Sequence, residues 1–231
     1  MKSLRIVLGV VASVAVLGSV STAQAGEGFD LGARLGYGIP MGKTNDDGTN
    51  DKLSEAISGM VPIQIDLGYR FTPNLMVGGY FMYGFGFAGD SLSKSCDQLK
   101  AFGIDATCST HDVRLGAQVQ YHISPDAQVD PWVGAGIGYE WLTFGFEGGG
   151  TKLSSTGHGF EFINLQGGAD FAVAPNFGLG PFVMLSVGQY SDVSNDCSGS
   201  SCDPGDSSSD SIDKKAMHEW LTLGVRGTFT L

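Results

Sequence analysis

Residues 221–231 read Leu-Thr-Leu-Gly-Val-Arg-Gly-Thr-Phe-Thr-Leu, a segment in which side chains of two kinds alternate. The odd-numbered positions are apolar except for one glycine, and the even-numbered positions carry threonine, glycine or arginine. Successive side chains of a β-strand point to opposite faces, so this alternation predicts a strand with one oily and one polar face. A helix would require apolar residues at a spacing of three and four, which is not the pattern here.

Seven earlier segments alternate in the same way, with aliphatic or aromatic residues on one face and glycine or polar residues on the other. In the first of them, Leu31, Ala33 and Leu35 oppose Gly32 and Arg34. The last of the seven has the least polar inner face. The segments lie at residues 29–38, 63–71, 75–87, 112–121, 132–146, 163–173 and 179–190.

Short turns and long loops separate these segments alternately. The short turns are Thr72-Pro73-Asn74, Ser124-Pro125-Asp126 and Ala174-Pro175-Asn176, and longer Gly/Ser/Asp-rich stretches reverse the chain at the other end. Three tight turns and four long loops predict an all-β fold, namely an eight-stranded antiparallel up-and-down transmembrane β-barrel. Both termini would then lie on the tight-turn side.

The first residues predict export. Lys2 and Arg5 form a basic start, residues 6–20 are apolar apart from small residues, and Ala23-Gln24-Ala25 offers a cleavage site between small residues. The alternative is a membrane-spanning helix, but the apolar run is shorter than the roughly 18 to 20 residues that such a helix needs. We therefore expect a cleaved secretory signal peptide at residues 1–25 and a barrel domain at residues 26–231.

The net charge of the chain limits the classes of partner that we expect. There are 24 acidic and 13 basic residues, so the net charge is −11 and nucleic acid is not an expected partner. In the last predicted loop, Asp203, Asp206, Asp210 and Asp213 are candidate ligands for Ca²⁺ or Mg²⁺. Their spacing is not that of an EF-hand, and a solvated Ser/Asp loop is the favoured interpretation. We expect no metal site and no cofactor.

The four cysteines lie in two of the predicted loops. Cys96 and Cys108 fall in the second loop, and Cys197 and Cys202 fall in the fourth. Four cysteines formally permit three pairings. In an exported protein we expect two local disulfides, one within each loop, which would stiffen the loops and perform no chemistry.

The enclosed face of the barrel would carry charges of both signs. Counting residues from the tight turns places Arg34 near Asp66, and Arg114 near Glu140. Enclosed charges must be paired or hydrated, so we interpret the set as structural cross-links, with gating or solute selection as the alternative. The predicted lumen charge network comprises Asp30, Arg34, Asp66, Arg70, Asp112, Arg114, Glu140, Asp170 and Arg226.

Small inward-facing residues bear on whether the barrel contains a pore. Gly134, Gly136 and Gly138 share the inner face of one segment and remove side-chain volume there. An interior enclosed by eight strands is just wide enough for side chains or one small ligand. A narrow channel beside this glycine strip therefore competes with a filled interior.

Two further motifs indicate no catalysis. Residues 84–89 match the pattern G-x-G-x-x-G, but no helix or βαβ unit follows, so we do not expect nucleotide binding. His111, His158 and His218 fall near the predicted outer rim, yet nothing in the sequence sets a nucleophile beside a base. We predict that the chain is not an enzyme and assign no catalytic residues.

The chain resembles the small eight-stranded outer-membrane barrel proteins of Gram-negative bacteria, the OmpA-transmembrane, OmpX and OmpW-like group. The signal sequence, the Pro-Asn and Pro-Asp turns, the segment Val133-Gly134-Ala135-Gly136-Ile137-Gly138-Tyr139 and the closing strand carry this resemblance. It implies a location in the outer membrane with periplasmic termini, among outer-membrane lipid and lipopolysaccharide. It also implies insertion by the outer-membrane assembly machinery, which reads a final strand usually ending in an aromatic residue. Here Phe229 lies two residues before the terminal Leu231.

Three functions remain after these exclusions. We rank first an integral outer-membrane protein that acts as a small porin-like channel or as a structural membrane barrel. The alternative is a barrel that serves as a pedestal for acidic, disulfide-braced loops, used in adhesion or in recognition of an extracellular partner that the sequence does not identify. A soluble lipocalin-like carrier ranks third, because it would place apolar side chains inside and polar ones outside.

Overall fold

The computed structural model describes residues 27–46, 52–101, 105–200, 202–203 and 205–231. The predicted signal peptide at residues 1–25 lies outside these ranges and stays a prediction. Within the described residues, no helix combines the length and the apolar character needed to cross a membrane.

Antiparallel strands make up almost all of the described chain. Two short helices, α1 (Leu53–Ala56) and α2 (Asp90–Ala101), interrupt the strands in the first and second long loops. The strands are β1 (Gly28–Gly42), β2 (Ile57–Thr72), β3 (Leu75–Ala88), β4 (Ala106–His122), β5 (Val129–Gly148), β6 (Thr151–Ala174), β7 (Phe177–Gly199), β8 (Ser208–Ser211) and β9 (Met217–Thr230).

The sheet closes on itself. Each strand from β1 to β7 pairs with its successor, β7 also pairs with β9, and β9 pairs with β1. At the seam, Phe229 of the last strand lies opposite Leu31 on one side and Phe177 on the other. The closed ring therefore contains eight strands, which confirms the predicted β-barrel. The remaining strand, β8, is a short addition along the outer part of β7.

The two faces of the barrel wall are chemically opposite. Charged, amide and hydroxyl side chains are buried inside, whereas aliphatic and aromatic rows are exposed outside. Leu67 and Ile137, for example, are 59% and 62% exposed. Contact of such rows with water is unfavourable, so the outer face is suited to hydrocarbon. This is the reverse of a soluble carrier, and that third-ranked alternative is wrong.

Aromatic rings collect at two levels of the outer face. Near the tight turns, Phe29 meets Tyr69 edge to face with ring centres 5.2 Å apart. Toward the long loops, the ring centre of Tyr139 lies 4.7 Å from that of Trp141 and 5.1 Å from that of Phe160. Aromatic rings favour the headgroup layer, so these levels are suited to the two membrane–water boundaries.

The third long loop expected from the sequence is a strand hairpin instead. β5 continues to Gly148, β6 begins at Thr151, and Gly149 and Gly150 form the turn with φ angles of 60° and 80°. Positive φ at both positions suits a two-residue hairpin, and glycine adopts it without strain. The Ser- and Thr-rich first part of β6 lacks the regular apolar alternation that would indicate a strand. We call the parts of β4 to β8 that extend past the barrel the outer sheet (residues 106–110, 143–148, 151–157, 192–199 and 208–211).

The oily face allows a direct test of the membrane-facing assignment. Leu165, 51% exposed between the two aromatic levels, should not tolerate charge, so Leu165→Arg is expected to lower the free energy of unfolding by about 2–4 kcal/mol in lipid vesicles. Leu153→Arg lies on the same strand but in the outer sheet, and it should cost no more than about 0.5 kcal/mol. Urea unfolding in vesicles measures both, and equal losses would contradict the assignment.

Candidate functional site

The interior of the barrel is the candidate site because the buried polar side chains are concentrated there. All nine charged residues predicted to face inward are buried. With the side chains that they contact, they fall into three groups, named by their distance from the tight turns. The basal cluster contains Asp30, Arg70, Asp170, Arg226, His122 and Asp130. The central cluster contains Arg34, Asp66, Gln64, Gln118 and Gln166, and the outer cluster contains Asp112, Arg114, Glu140, Glu161, Tyr190, His218 and Trp220.

The basal cluster ties the first and last strands to β2. Arg70 Nη2 lies 2.8 Å from Asp30 Oδ2, and Arg70 Nη1 donates to the carbonyl oxygen of Pro73 at 2.9 Å. Thr230 Oγ1 donates to the other carboxylate oxygen of Asp30 at 2.6 Å. Because these side chains come from β2, β1 and β9, their contacts fasten the seam of the ring at the tight-turn end.

Arg226 crosses the basal part of the lumen from β9. Its Nη1 donates to Gln120 Oε1 on β4 at 2.7 Å, and its Nη2 lies 3.5 Å from Asp170 Oδ2 on β6. Thr228 Oγ1 on the same strand donates to that Asp170 oxygen at 3.5 Å. One arginine therefore connects three strands that are not neighbours in the ring.

Arg34 organises the central cluster. Its Nε donates to Asp66 Oδ2 at 2.6 Å, and its two terminal nitrogens donate to Gln166 Oε1 at 2.6 Å and to Gln118 Oε1 at 3.3 Å. The other oxygen of Asp66 accepts hydrogen bonds from Gln64 at 2.7 Å and from Gln118 at 3.0 Å. The structure thus brings Arg34 and Asp66 into a buried ion pair whose hydrogen-bonding capacity is satisfied by amides from three other positions.

Aromatic rings fill the space between these polar groups. The guanidinium carbon of Arg34 lies 5.4 Å from the ring centres of Trp132 and of Phe182, and that of Arg226 lies 4.1 Å from Trp132. Trp132, Phe182 and Met184 form a buried apolar group. Both arginines are therefore held by cation–π contacts as well as by hydrogen bonds.

The outer cluster sets three carboxylates around one arginine. Arg114 Nη2 lies 2.7 Å from Asp112 Oδ2 and 3.3 Å from Glu140 Oε1, and its Nη1 lies 3.5 Å from Glu161 Oε2. The guanidinium also lies 5.3 Å from the ring of Trp220. Three acids exceed one base, so the cluster needs further hydrogen-bond donors to remain buried.

Side chains from β7 and β9 supply the further hydrogen-bond donors that the outer cluster needs. Glu140 Oε1 accepts hydrogen bonds from Tyr190 Oη at 2.8 Å and from Trp220 Nε1 at 3.2 Å. His218 Nε2 lies 3.0 Å from Glu140 Oε2, and its ring stacks on Tyr190 with centres 4.1 Å apart. These hydrogen bonds come from side chains across the lumen and stabilise the charged carboxylate of Glu140 in the interior.

An apolar cap lies at the long-loop end of the lumen, next to the outer cluster, with which it shares Tyr190 and Trp220. The first residue of α1, Leu53, is fully buried, so this short helix folds its apolar side chain back into the barrel mouth. The cap consists of Leu53, Ile57, Met60, Met82, Leu142, Tyr190 and Trp220.

A β-bulge explains why Glu161 was not predicted from the sequence. Glu161 pairs with Gly188 and Ile163 pairs with Val187, so Phe162 is an additional residue in β6. Phe162 and Ile163 therefore both point outward. Strict alternation counted back from the inward residue at position 164 places Glu161 on the lipid side, and only its exposed flanking phenylalanines signal the change.

The four histidines do not share a site. His122 Nδ1 lies 2.6 Å from Asp130 Oδ2 in the basal cluster. These two residues flank the second tight turn and lie outside the predicted segments 112–121 and 132–146, so they were not predicted to face inward. His218 is buried in the outer cluster rather than at the rim. His111 and His158 are partly buried and contact outward-facing tyrosines. The three rim histidines considered from the sequence are thus divided between the two faces of the wall.

The cysteines form two disulfides, Cys96–Cys108 and Cys197–Cys202. The first joins α2 to β4, and the second lies where β7 ends. Among the described residues, Cys197, Cys202 and Asp206 form the only group of three potential metal ligands within 4.8 Å of one another. Thiolates bind metals, and disulfide sulfurs are not thiolates, so this group does not make a metal centre.

Comparison with known proteins identifies the architecture. Residues 10–199 match the family model described as outer membrane protein β-barrel domain. No curated protein sequence matches the chain significantly.

Solved structures of outer-membrane proteins are similar to this chain at low sequence identity. Neisserial surface protein A is 16% identical, with a TM-score of 0.51 over 88% of this chain and 97% of that chain. Ail, the attachment invasion locus protein of Yersinia pestis, is 17% identical, with a TM-score of 0.41 over 88% and 99%. OprG from Pseudomonas aeruginosa is 12% identical, with a TM-score of 0.45 over 89% and 98%. Of these, Neisserial surface protein A has a TM-score above 0.5, and at 16% identity it supports the fold alone.

The central cluster predicts a specific response to loss of its cation. Arg34→Met leaves Asp66 buried without a positive partner and is expected to lower the free energy of unfolding by about 3–5 kcal/mol. Adding Asp66→Leu removes the isolated charge and should recover most of that loss. Urea unfolding followed by tryptophan fluorescence measures both variants. A double variant as unstable as the single one would show that the ion pair does not govern this layer.

Proposed function

The chain belongs to the outer-membrane β-barrel family, and we propose that within it this protein is a closed structural barrel that anchors its outer sheet in the membrane. The observation that carries the proposal is the set of contacts made by Arg34. This side chain begins on β1 and bonds to β2, β4 and β6, between the rings of Trp132 and Phe182. A solute would have to break buried ionic contacts to pass.

The glycine strip supports the closed form rather than a channel. The space beside these glycines is occupied by side chains from other strands. A Cβ atom at Gly138 would collide with the hydroxyl of Tyr80, and one at Gly136 would lie 2.8 Å from Asn164 Nδ2. Tyr80 Oη in turn donates to Glu161 Oε1 at 3.1 Å. The missing side chains on β5 thus make room for side chains that reach across, which argues against the porin-like role.

The proposal includes an orientation and the partners that follow from it. Outer-membrane barrels have short periplasmic turns and longer extracellular loops, so we place the tight turns and both termini in the periplasm. Outer-membrane lipid and lipopolysaccharide would surround the oily face. The outer-membrane assembly machinery would insert the barrel through β9, which carries Phe229 near its end. Within this proposal we assign no catalytic residue, cofactor or nucleic-acid partner.

A second candidate, loop-mediated recognition, is favoured by the outer sheet itself. β5, β6 and β7 run for 20, 24 and 23 residues, longer than the roughly 9–11 residues needed to span a membrane. This extension is braced by a disulfide and is acidic along β7 and β8. Such a platform suits adhesion or partner recognition, and it is compatible with a closed lumen.

Conductance distinguishes the closed barrel from a pore. The wild-type protein in planar lipid bilayers is expected to show no stepwise current. A triple variant, Arg34→Ser with Asp66→Ser and Trp132→Ala, removes the central layer without leaving an unpaired charge. The outer cluster, the apolar cap and the contacts of Arg226 stay in place, so this variant is also expected to show no stepwise current. Steady wild-type current above that of protein-free bilayers would contradict the closed barrel.

A further inference from the structure

A cavity of about 320 Å³ lies on the inner face of the outer sheet, above the apolar cap. We call it the upper pocket. It is separate from the lumen clusters, since its walls come from the strand extensions and from α2. Its principal lining residues are Leu92, Phe144, Phe146, Leu153, Asp196 and Asp206.

Strand register explains why apolar side chains meet in the upper pocket. Phe146 lies opposite Leu153, and Leu153 lies opposite Cys197, so the three side chains share one side of β5, β6 and β7. Phe144, two residues before Phe146, packs on the apolar cap below. Leu153 is 45% exposed even though it lies past the barrel, where no lipid covers it. An apolar floor open to water favours an occupant with an apolar part.

The pocket walls are cross-linked, which limits their freedom before binding. The disulfide Cys197–Cys202 closes a short segment at one wall. The disulfide Cys96–Cys108 holds α2, which contributes Leu92, against β4. A cavity that is formed in advance binds ligand with a smaller ordering cost than a flexible loop does.

The charge of the lining specifies the sign of the occupant. Asp196 and Asp206 line the pocket, and no lysine, arginine or histidine is among the described lining residues. Asp206 Oδ2 accepts the backbone N–H of Asp203 at 2.6 Å, which positions its carboxylate. Lys152, which precedes Leu153 in β6, lies 3.1 Å from Glu147 and is therefore paired. The local potential favours a cation.

From the apolar floor and the acidic rim, we propose that the upper pocket binds a small amphipathic amine. Its ring or alkyl group contacts Phe144, Phe146 and Leu153, and its ammonium group faces Asp196 and Asp206. This binding function goes beyond the closed barrel and depends only on the outer sheet.

Matched small molecules test the proposal on the full-length mature protein in nanodiscs of zwitterionic lipid. Tryptamine, tryptophol and indoleacetate share an indole ring and differ in charge. In isothermal titration, with empty nanodiscs subtracted, tryptamine should bind saturably and on the order of tenfold more tightly than tryptophol, and indoleacetate more weakly still. Added salt should reduce the advantage of tryptamine.

Variants assign the binding to the upper pocket. Asp196→Asn with Asp206→Asn should lower tryptamine affinity to that of tryptophol, while Asp213→Asn, an acidic position in the same loop outside the lining, should leave it unchanged. Phe146→Ser should weaken both ligands, and heat-modifiable gel mobility verifies folding of each variant. Equal affinity for indoleacetate and tryptamine, or absence of saturable tryptamine binding, would overturn the proposal.

Discussion

The stability of the barrel in a membrane rests on closure of the sheet. In hydrocarbon no water is present to satisfy backbone N–H and C=O groups, so a strand with a free edge cannot remain there. The pairing of β9 with both β1 and β7 removes the last edge. Side chains reinforce it, because Asp30 of β1 binds Arg70 of β2 and Thr230 of β9 at the tight-turn end.

Closure also creates an interior whose contents must satisfy one another. An eight-stranded ring is narrow, so long side chains reach nonadjacent strands, as Arg34, Arg226 and Arg114 do. Their partners are carboxylates and amides that have no access to bulk water. Buried ion pairs do not by themselves imply high stability. Their consequence here is positional, because one set of contacts joins strands that are distant from one another in the ring.

Past the barrel, solvent replaces lipid and different forces hold the chain. The outer sheet keeps the strand pairing of the wall but loses the oily exterior, and disulfides and glycine turns take over part of the bracing. Its inner face retains Phe144, Phe146 and Leu153 above the apolar cap. Because lipid cannot cover these side chains, they either face water or face a ligand, and this is what separates the upper pocket from the lipid-facing rows.

Local alternation was sufficient to predict the eight strands of the ring, their two faces and the closure of the ring. The side chains of a barrel wall alternate between its two faces with a period of two, as they do in residues 221–231. The same alternation also placed nine charged residues on the inner face. The bulge at Phe162, the start of β6 at Thr151 and the burial of Leu53 in the barrel mouth show no such alternation, since each depends on pairing or packing with distant residues.

Inward and outward side chains along each regular strand can therefore be read from the residues, because they follow from backbone geometry. Which inward side chains meet, and whether space remains between them, is seen only in the folded chain. Those outcomes depend on strand register and on the reach of side chains across the ring, as in the contact of Arg34 with Gln166, 132 positions away along the chain.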